Sequence, residues 1–148
     1  MNYYLQGLRN YATFTGRARR SEYWYFVLFS FIFSIVASLL DRLIGDTFTM
    51  NLATGPTSLG YGYIYLLYSL AVLIPSLAVG VRRLHDVGKS GWFFFIVLIP
   101  LIGAIWILIL FFTDSQVGPN KYGPNPKGIG NTDEIDEIGN YIKPESIH

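Results

Sequence analysis

Trp92 Phe93 Phe94 Phe95 Ile96 Val97 Leu98 Ile99 Pro100 Leu101 Ile102 Gly103 Ala104 Ile105 Trp106 Ile107 Leu108 Ile109 Leu110 Phe111 Phe112 is a run of 21 residues with no charged group and no histidine, and 16 of them are Leu, Ile, Val or Phe. As one helix it would be about 32 Å long, which matches a bilayer's hydrocarbon core. Its insertion would gain on the order of 5 to 10 kcal/mol if every apolar side chain sat at the bilayer centre. The run is broken at Pro100 and Gly103. A hairpin folded there would have legs of about eight or nine residues, too short to cross. The expectation is therefore one span kinked at Pro100 and Gly103, with a re-entrant hairpin as the alternative.

Two more uncharged runs precede it, Tyr23 to Leu40 (18 residues) and Tyr63 to Val81 (19 residues). Both also have the length of a bilayer. The chain is 51% apolar and 14% charged, with mean hydropathy +0.36, and its charges lie between the runs. Three such lengths in 148 residues would leave too little polar surface for a water-soluble domain. The fold expected is an all-α membrane protein with three transmembrane helices, a short N-terminal interfacial helix and a flexible C-terminal tail. Its parts are a cytoplasmic interfacial segment 1–22, a transmembrane domain 23–112 and a polar, largely disordered tail 113–148.

The absence of cysteine excludes disulfides and thiolate metal sites, and a net charge of +1 argues against a nucleic-acid partner. The placement of the basic residues matters more than their sum. Arg9, Arg17, Arg19 and Arg20 precede the first span, Arg42 follows it, Arg82, Arg83 and Lys89 lie between the second and third, and Lys121, Lys127 and Lys143 follow the third. With three spans, the positive-inside rule puts the N-terminus and the 82–92 link in the cytoplasm and the tail outside. A hairpin would put every basic residue except Arg42 inside.

Along the chain, Tyr4, Leu8, Tyr11 and Thr15 fall at helical spacing, which suggests a helix on the membrane surface. Arg17, Arg19 and Arg20 follow at headgroup level, each able to gain on the order of 1 kcal/mol from anionic lipid. The apolar run after them is too long for a signal peptide and is followed by others, so it reads as a retained helix. Within it Ser30, Ser34 and Ser38 form a small-residue stripe suited to close helix packing. Residues 41–62 are a polar outer loop without catalytic spacing. In the second span Pro75 removes an amide hydrogen and frees the carbonyl of Ala71, with Ser76 nearby to compensate, so a kink is expected.

The link Arg82 Arg83 Leu84 His85 Asp86 Val87 Gly88 Lys89 Ser90 Gly91 Trp92 holds most of the chemistry. On a helix continuing past Val81, both Arg82 and Arg83 can pair with Asp86, and Gly88 suits the C-terminal cap. Two readings compete here. In one, Arg17, Arg19, Arg20, Arg82, Arg83, His85, Asp86 and Lys89 converge on a lipid phosphate. In the other, the link is a positive turn that fixes topology, with Asp86 neutralising an arginine. Gly88 Lys89 Ser90 is not a phosphate-binding loop, because Arg83 stands where that loop needs glycine. His85 and Asp86 have no further ligands to make a metal site. No catalytic set, metal or cofactor is expected.

Four stretches taken in order carry a resemblance: Gly16 to Trp24, Arg82 to Trp92, Ile99 to Gly103, and Gly118 Pro119 Asn120 Lys121 Tyr122 Gly123 Pro124. Together they resemble the domain of unknown function 805 family, YhaH-like small bacterial inner-membrane proteins, over roughly residues 10 to 126. The resemblance implies a bacterial plasma-membrane protein, multi-pass, and brings no activity or functional residue with it. The function expected is a non-enzymatic membrane component that binds lipid headgroups or a membrane protein partner, or assembles with copies of itself. The alternatives are a subunit of a small oligomeric transporter or channel, and an enzyme acting on lipid phosphate through Arg82, Arg83, His85 and Asp86.

Overall fold

Two long apolar helices form the body of the protein. The computed structural model describes residues 2–45, 47–52 and 55–131. Helix α1 is Asn2–Arg9, α2 Arg20–Ile44 and α3 Tyr63–Asp86; a 3₁₀ leg, Gly91–Leu98, and helix α4, Ile102–Phe112, follow. The outer loop adds a two-stranded antiparallel hairpin, β1 Thr49–Leu52 and β2 Gly55–Ser58, in register Thr49↔Ser58 and Met50↔Thr57. All the apolar runs are helical.

Helices α2 and α3 are about 37 and 36 Å long, and both are apolar enough to cross a membrane. They lie antiparallel, with Glu22 of α2 beside Arg82 of α3 at one end and Ser38 bonded to the Gly60 carbonyl near the other. Their outward faces suit only hydrocarbon: Phe31 is 62% exposed and Leu67 68%. At the outer end, buried Asp41 accepts hydrogen bonds from the amides of Gly62, Ile64 and Tyr65 at 2.8, 2.9 and 2.9 Å. A carboxylate on one helix thus caps the start of the next and suits its positive dipole end.

The third apolar run is not one continuous helix. The 3₁₀ leg leaves the end of α3 at Gly91, and α4 returns to that same end, where Arg83 donates to the carbonyls of Phe111 and Thr113 and the Gln116 amide donates to the Asp86 carbonyl at 3.0 Å. The run folds as a helical hairpin, the alternative to the single kinked helix that was expected. Each leg is about 16 Å deep, roughly half a hydrocarbon core. Pro100 and Gly103 shape the turn between the legs. Leu101 there adopts a φ of 63°, and a Cβ on Gly103 would stand 1.7 Å from the Ile96 carbonyl oxygen. Only glycine lets the legs close.

The two legs bury different periods. In the 3₁₀ leg every third residue faces outward, Trp92 80%, Phe95 59% and Leu98 74% exposed, while Phe94 packs over Gly80 and Gly91 over Val81. That is the eclipsed i, i+3 spacing of a 3₁₀ helix. Helix α4 instead buries Gly103, Ile107, Leu110 and Phe111, the spacing of an α-helix.

At the N-terminus, α1 is shorter than the expected 2–15 stretch. It packs Tyr4 against Phe26, Phe29 and Phe33 and sets Gly7 against Phe26, along the half of α2 nearer the link. The Tyr11 hydroxyl donates to the Ala71 carbonyl at 2.8 Å, the carbonyl that Pro75 leaves without an amide partner. Ser76, expected there, bonds the Val72 carbonyl instead. The expectation of disorder from 113 onward does not hold for 113–131, which fold back under the bundle. Residues 132–148, and with them the proposed helix after Thr132, lie outside the described residues.

Candidate functional site

Three segments distant in sequence meet where α2 begins and α3 ends: residues 16–22, the end of α3 with its link, and residues 111–131. The last turn of α3 supplies the centre. Arg83 and Asp86 sit three apart on it and pair with no exposed side-chain surface on either. The helix then stops as the sequence predicts, with Gly88 at φ 75° and the Lys89 amide reaching back to the Leu84 carbonyl at 2.9 Å.

Asp86 is shared by two guanidinium groups. Arg17 Nε donates to Asp86 Oδ1 at 3.0 Å, Arg83 Nη1 donates to Oδ2, and the Ser115 hydroxyl also donates to Oδ2 at 2.6 Å. The rest of Arg17 is spent on carbonyls, with Nη1 donating to Gly118 at 2.7 Å and Nη2 to Gln116 at 2.6 Å. Two cations beside one anion in a dry interior would be costly; the carbonyl oxygens supply the remaining negative charge density. The knot is closed.

Arg82 does not pair with Asp86 as expected. It turns to buried Glu22, Nη1 to Oε1 at 2.7 Å, and its Nε and Nη2 are buried without an acceptor among the described residues. Arg19 donates to the Pro126 carbonyl and Arg20 to that of Phe112 at 3.0 Å, Arg20 staying exposed. His85 Nδ1 lies 3.2 Å from the Gly16 carbonyl, so it carries the proton there, and the ring stacks on Tyr122 with centroids 3.7 Å apart. Because the Asp86 carboxylate faces the arginines, His85 and Asp86 do not form an acid–base pair. Lys89 is exposed.

The sequence brought Arg17, Arg83 and Asp86 to notice as anion ligands; the structure finds all three buried and joined in hydrogen-bonded cross-links. Several residues that hold the site were missed. Asn125, 3% exposed, donates to the Gln116 and Ile129 carbonyls at 3.1 Å each and accepts from the Lys127 amide at 2.8 Å, which shapes the whole turn region. Its signal was the dense Gly, Pro and Asn pattern directly after an apolar run. Asp114 takes a charged hydrogen bond from Lys127, which with the Ser115 amide holds its carboxyl below the ordinary 3.8.

The helix-packing stripe divides. Ser38 bonds the Gly60 carbonyl, Ser34 the carbonyl of Phe31 in its own helix, and the Ser30 hydroxyl is buried without a partner among the described residues. Beside the knot an open groove of about 510 Å³ is lined by Phe14, His85, Trp92, Phe95 and Tyr122 among others. Among the described residues no three His, Cys, Asp or Glu side chains group as a metal site would need.

Two bilayer-length helices, a half-depth apolar hairpin and a buried ionic closure define a small membrane protein. The chain belongs to the family described as protein of unknown function (DUF805), whose profile matches residues 11–124. It is 40% identical over 129 residues to the inner membrane protein YhaH of Escherichia coli K12, covering 86% of this chain and 98% of that protein. It is 37% identical over 127 residues to the inner membrane protein YhaI of the same strain, covering 86% and 97%. No solved structure matches.

Proposed function

We propose that the protein is a non-enzymatic component of the bacterial inner membrane that crosses it twice, keeps both the N-terminal segment and residues 113–131 in the cytoplasm, and binds anionic lipid of the inner leaflet. The orientation follows from charge: Arg17, Arg19, Arg20, Arg82, Arg83, Lys89, Lys121 and Lys127 belong to the knot end and Arg42 to the other. The observation that carries the lipid reading is the division of the cations. Arg17 and Arg83 are consumed internally, whereas Arg20, Lys89 and Lys121 are exposed around the knot, and Lys127 is exposed there too but paired with Asp114.

The enzyme reading loses its dyad, since the Asp86 carboxylate is turned from His85. Transport needs polar groups at mid-depth, and the hydroxyls of Tyr11 and Ser76 there are committed to backbone carbonyls. The test is native mass spectrometry of purified protein carrying Arg20→Gln, Lys89→Gln, Lys121→Gln and Lys127→Gln. The expected result is loss of the preference for anionic over zwitterionic lipid. An unchanged preference removes the reading.

A further inference from the structure

In the half of the molecule nearer the knot, α1, α2, α3, the 3₁₀ leg and α4 lie side by side; in the other half α2 and α3 are the only helices that continue among the described residues, with the β1–β2 hairpin joining their ends. The lengths impose this. Each leg ends about 16 Å from the knot, while α2 and α3 run on to about 36 Å. Among the described side chains of α1, Tyr4 packs furthest along α2, with its ring 5.4 Å from that of Phe33. The added segments are apolar on their free sides as well, with Leu5 47%, Trp92 80%, Leu101 79% and Ile102 69% exposed. They call for hydrocarbon, and only that of one leaflet. With each helix about 10 Å across, five segments against two give the knot half roughly two and a half times the cross-section of the other.

We infer that the protein is a wedge that selects membrane curvature, favouring bilayers in which the leaflet around its knot half is convex. Bending spreads the headgroups of a convex leaflet and opens gaps over its acyl chains. Segments inserted in that leaflet alone fill the gaps, so their partitioning rises with curvature. The partner is a lipid surface chosen by shape, and the inference rests on the half-depth hairpin rather than on headgroup charge.

The test mixes small, highly curved vesicles with large, nearly flat ones, both of purely zwitterionic lipid, and reconstitutes full-length protein into both at once. Protein per lipid area is read by two-colour fluorescence, and orientation by protease removal of a tag at His148. The expected result is an enrichment of at least about twofold in the small vesicles, with the tag facing outward. Equal densities overturn the inference, and so does enrichment with random orientation. A cross-linked dimer with equal densities also overturns it, because a second copy would then fill the missing area. A variant with Leu101→Lys and Ile102→Lys, which draws the turn out of the hydrocarbon, should lower the enrichment while the α2–α3 pair stays inserted. Because no anionic lipid is present, this result is independent of the headgroup experiment.

Discussion

Asp86 lies between two guanidinium groups in a site closed to water, and replacing it by asparagine would keep its volume while removing its charge. Asp86→Asn should therefore cost on the order of 3 to 5 kcal/mol, because Arg17 and Arg83 stay buried without their counter-charge. The measurement is the midpoint of unfolding in detergent; Arg20→Gln, at an exposed position, should move stability by no more than about 0.5 kcal/mol. Tyr11→Phe leaves the Ala71 carbonyl with neither an amide nor a hydroxyl donor and should cost about 1 to 3 kcal/mol in the same assay. The Asp114–Lys127 contact has a definite pH sign. A carboxyl whose folded pKa is depressed stabilises the fold above its ordinary value and loses that contribution as pH falls through the lowered one. NMR titration of Asp114 should show a midpoint below 3.8, and Lys127→Ala should bring it back up. At this scale the sequence revealed local pairs and concealed distant ones. Arg83 and Asp86, three apart, and the Gly88 cap follow from helix geometry alone. Arg17 and Asp86 are 69 positions apart, and charge complementarity cannot choose among that many partners.

The hairpin of the 3₁₀ leg and α4 is the element on which topology turns. Gly103→Val would drive side-chain atoms into the Ile96 carbonyl and should separate the legs, seen as new protease cleavage after Lys121 or Lys127 in inside-out membranes. Since the chain has no cysteine, a single Ser115→Cys substitution reports the side directly. It should react with an impermeant thiol reagent only from the face that also exposes the N-terminus. A reporter fused after His148 is likewise expected in the cytoplasm, the reverse of what three spans would give. The run from Trp92 to Phe112 could not disclose its own path because it is apolar on every side. Neither leg has a polar face to mark the outside, and what decides its packing is size, glycine against bulk at Gly80, Gly91 and Gly103. The first two runs were legible because each ends in charged residues, Glu22 and Asp41 on α2, and Arg82 to Asp86 on α3.

Considered whole, the protein is a two-helix hairpin held at each end by a buried carboxylate, Asp41 at the loop end and Asp86 at the knot end. The first carboxylate meets backbone amides, the second meets arginines, and this asymmetry agrees with the distribution of basic residues that sets orientation. The family could be read from four short stretches, and three of them contribute to the knot. Carbonyls of residues 111–126 take hydrogen bonds from Arg17, Arg19, Arg20 and Arg83, while Arg82 pairs with Glu22.

Arg17 leaves the ribosome long before Gln116 and Gly118, whose carbonyls it needs. Until nearly the whole polypeptide has been made, α2 and α3 can already be inserted while the guanidinium near the start of the chain has nowhere dry to go. The knot can therefore close only after residue 118 has been made, and a chain cut short before it leaves Arg17 without the Gln116 and Gly118 carbonyls that hold it.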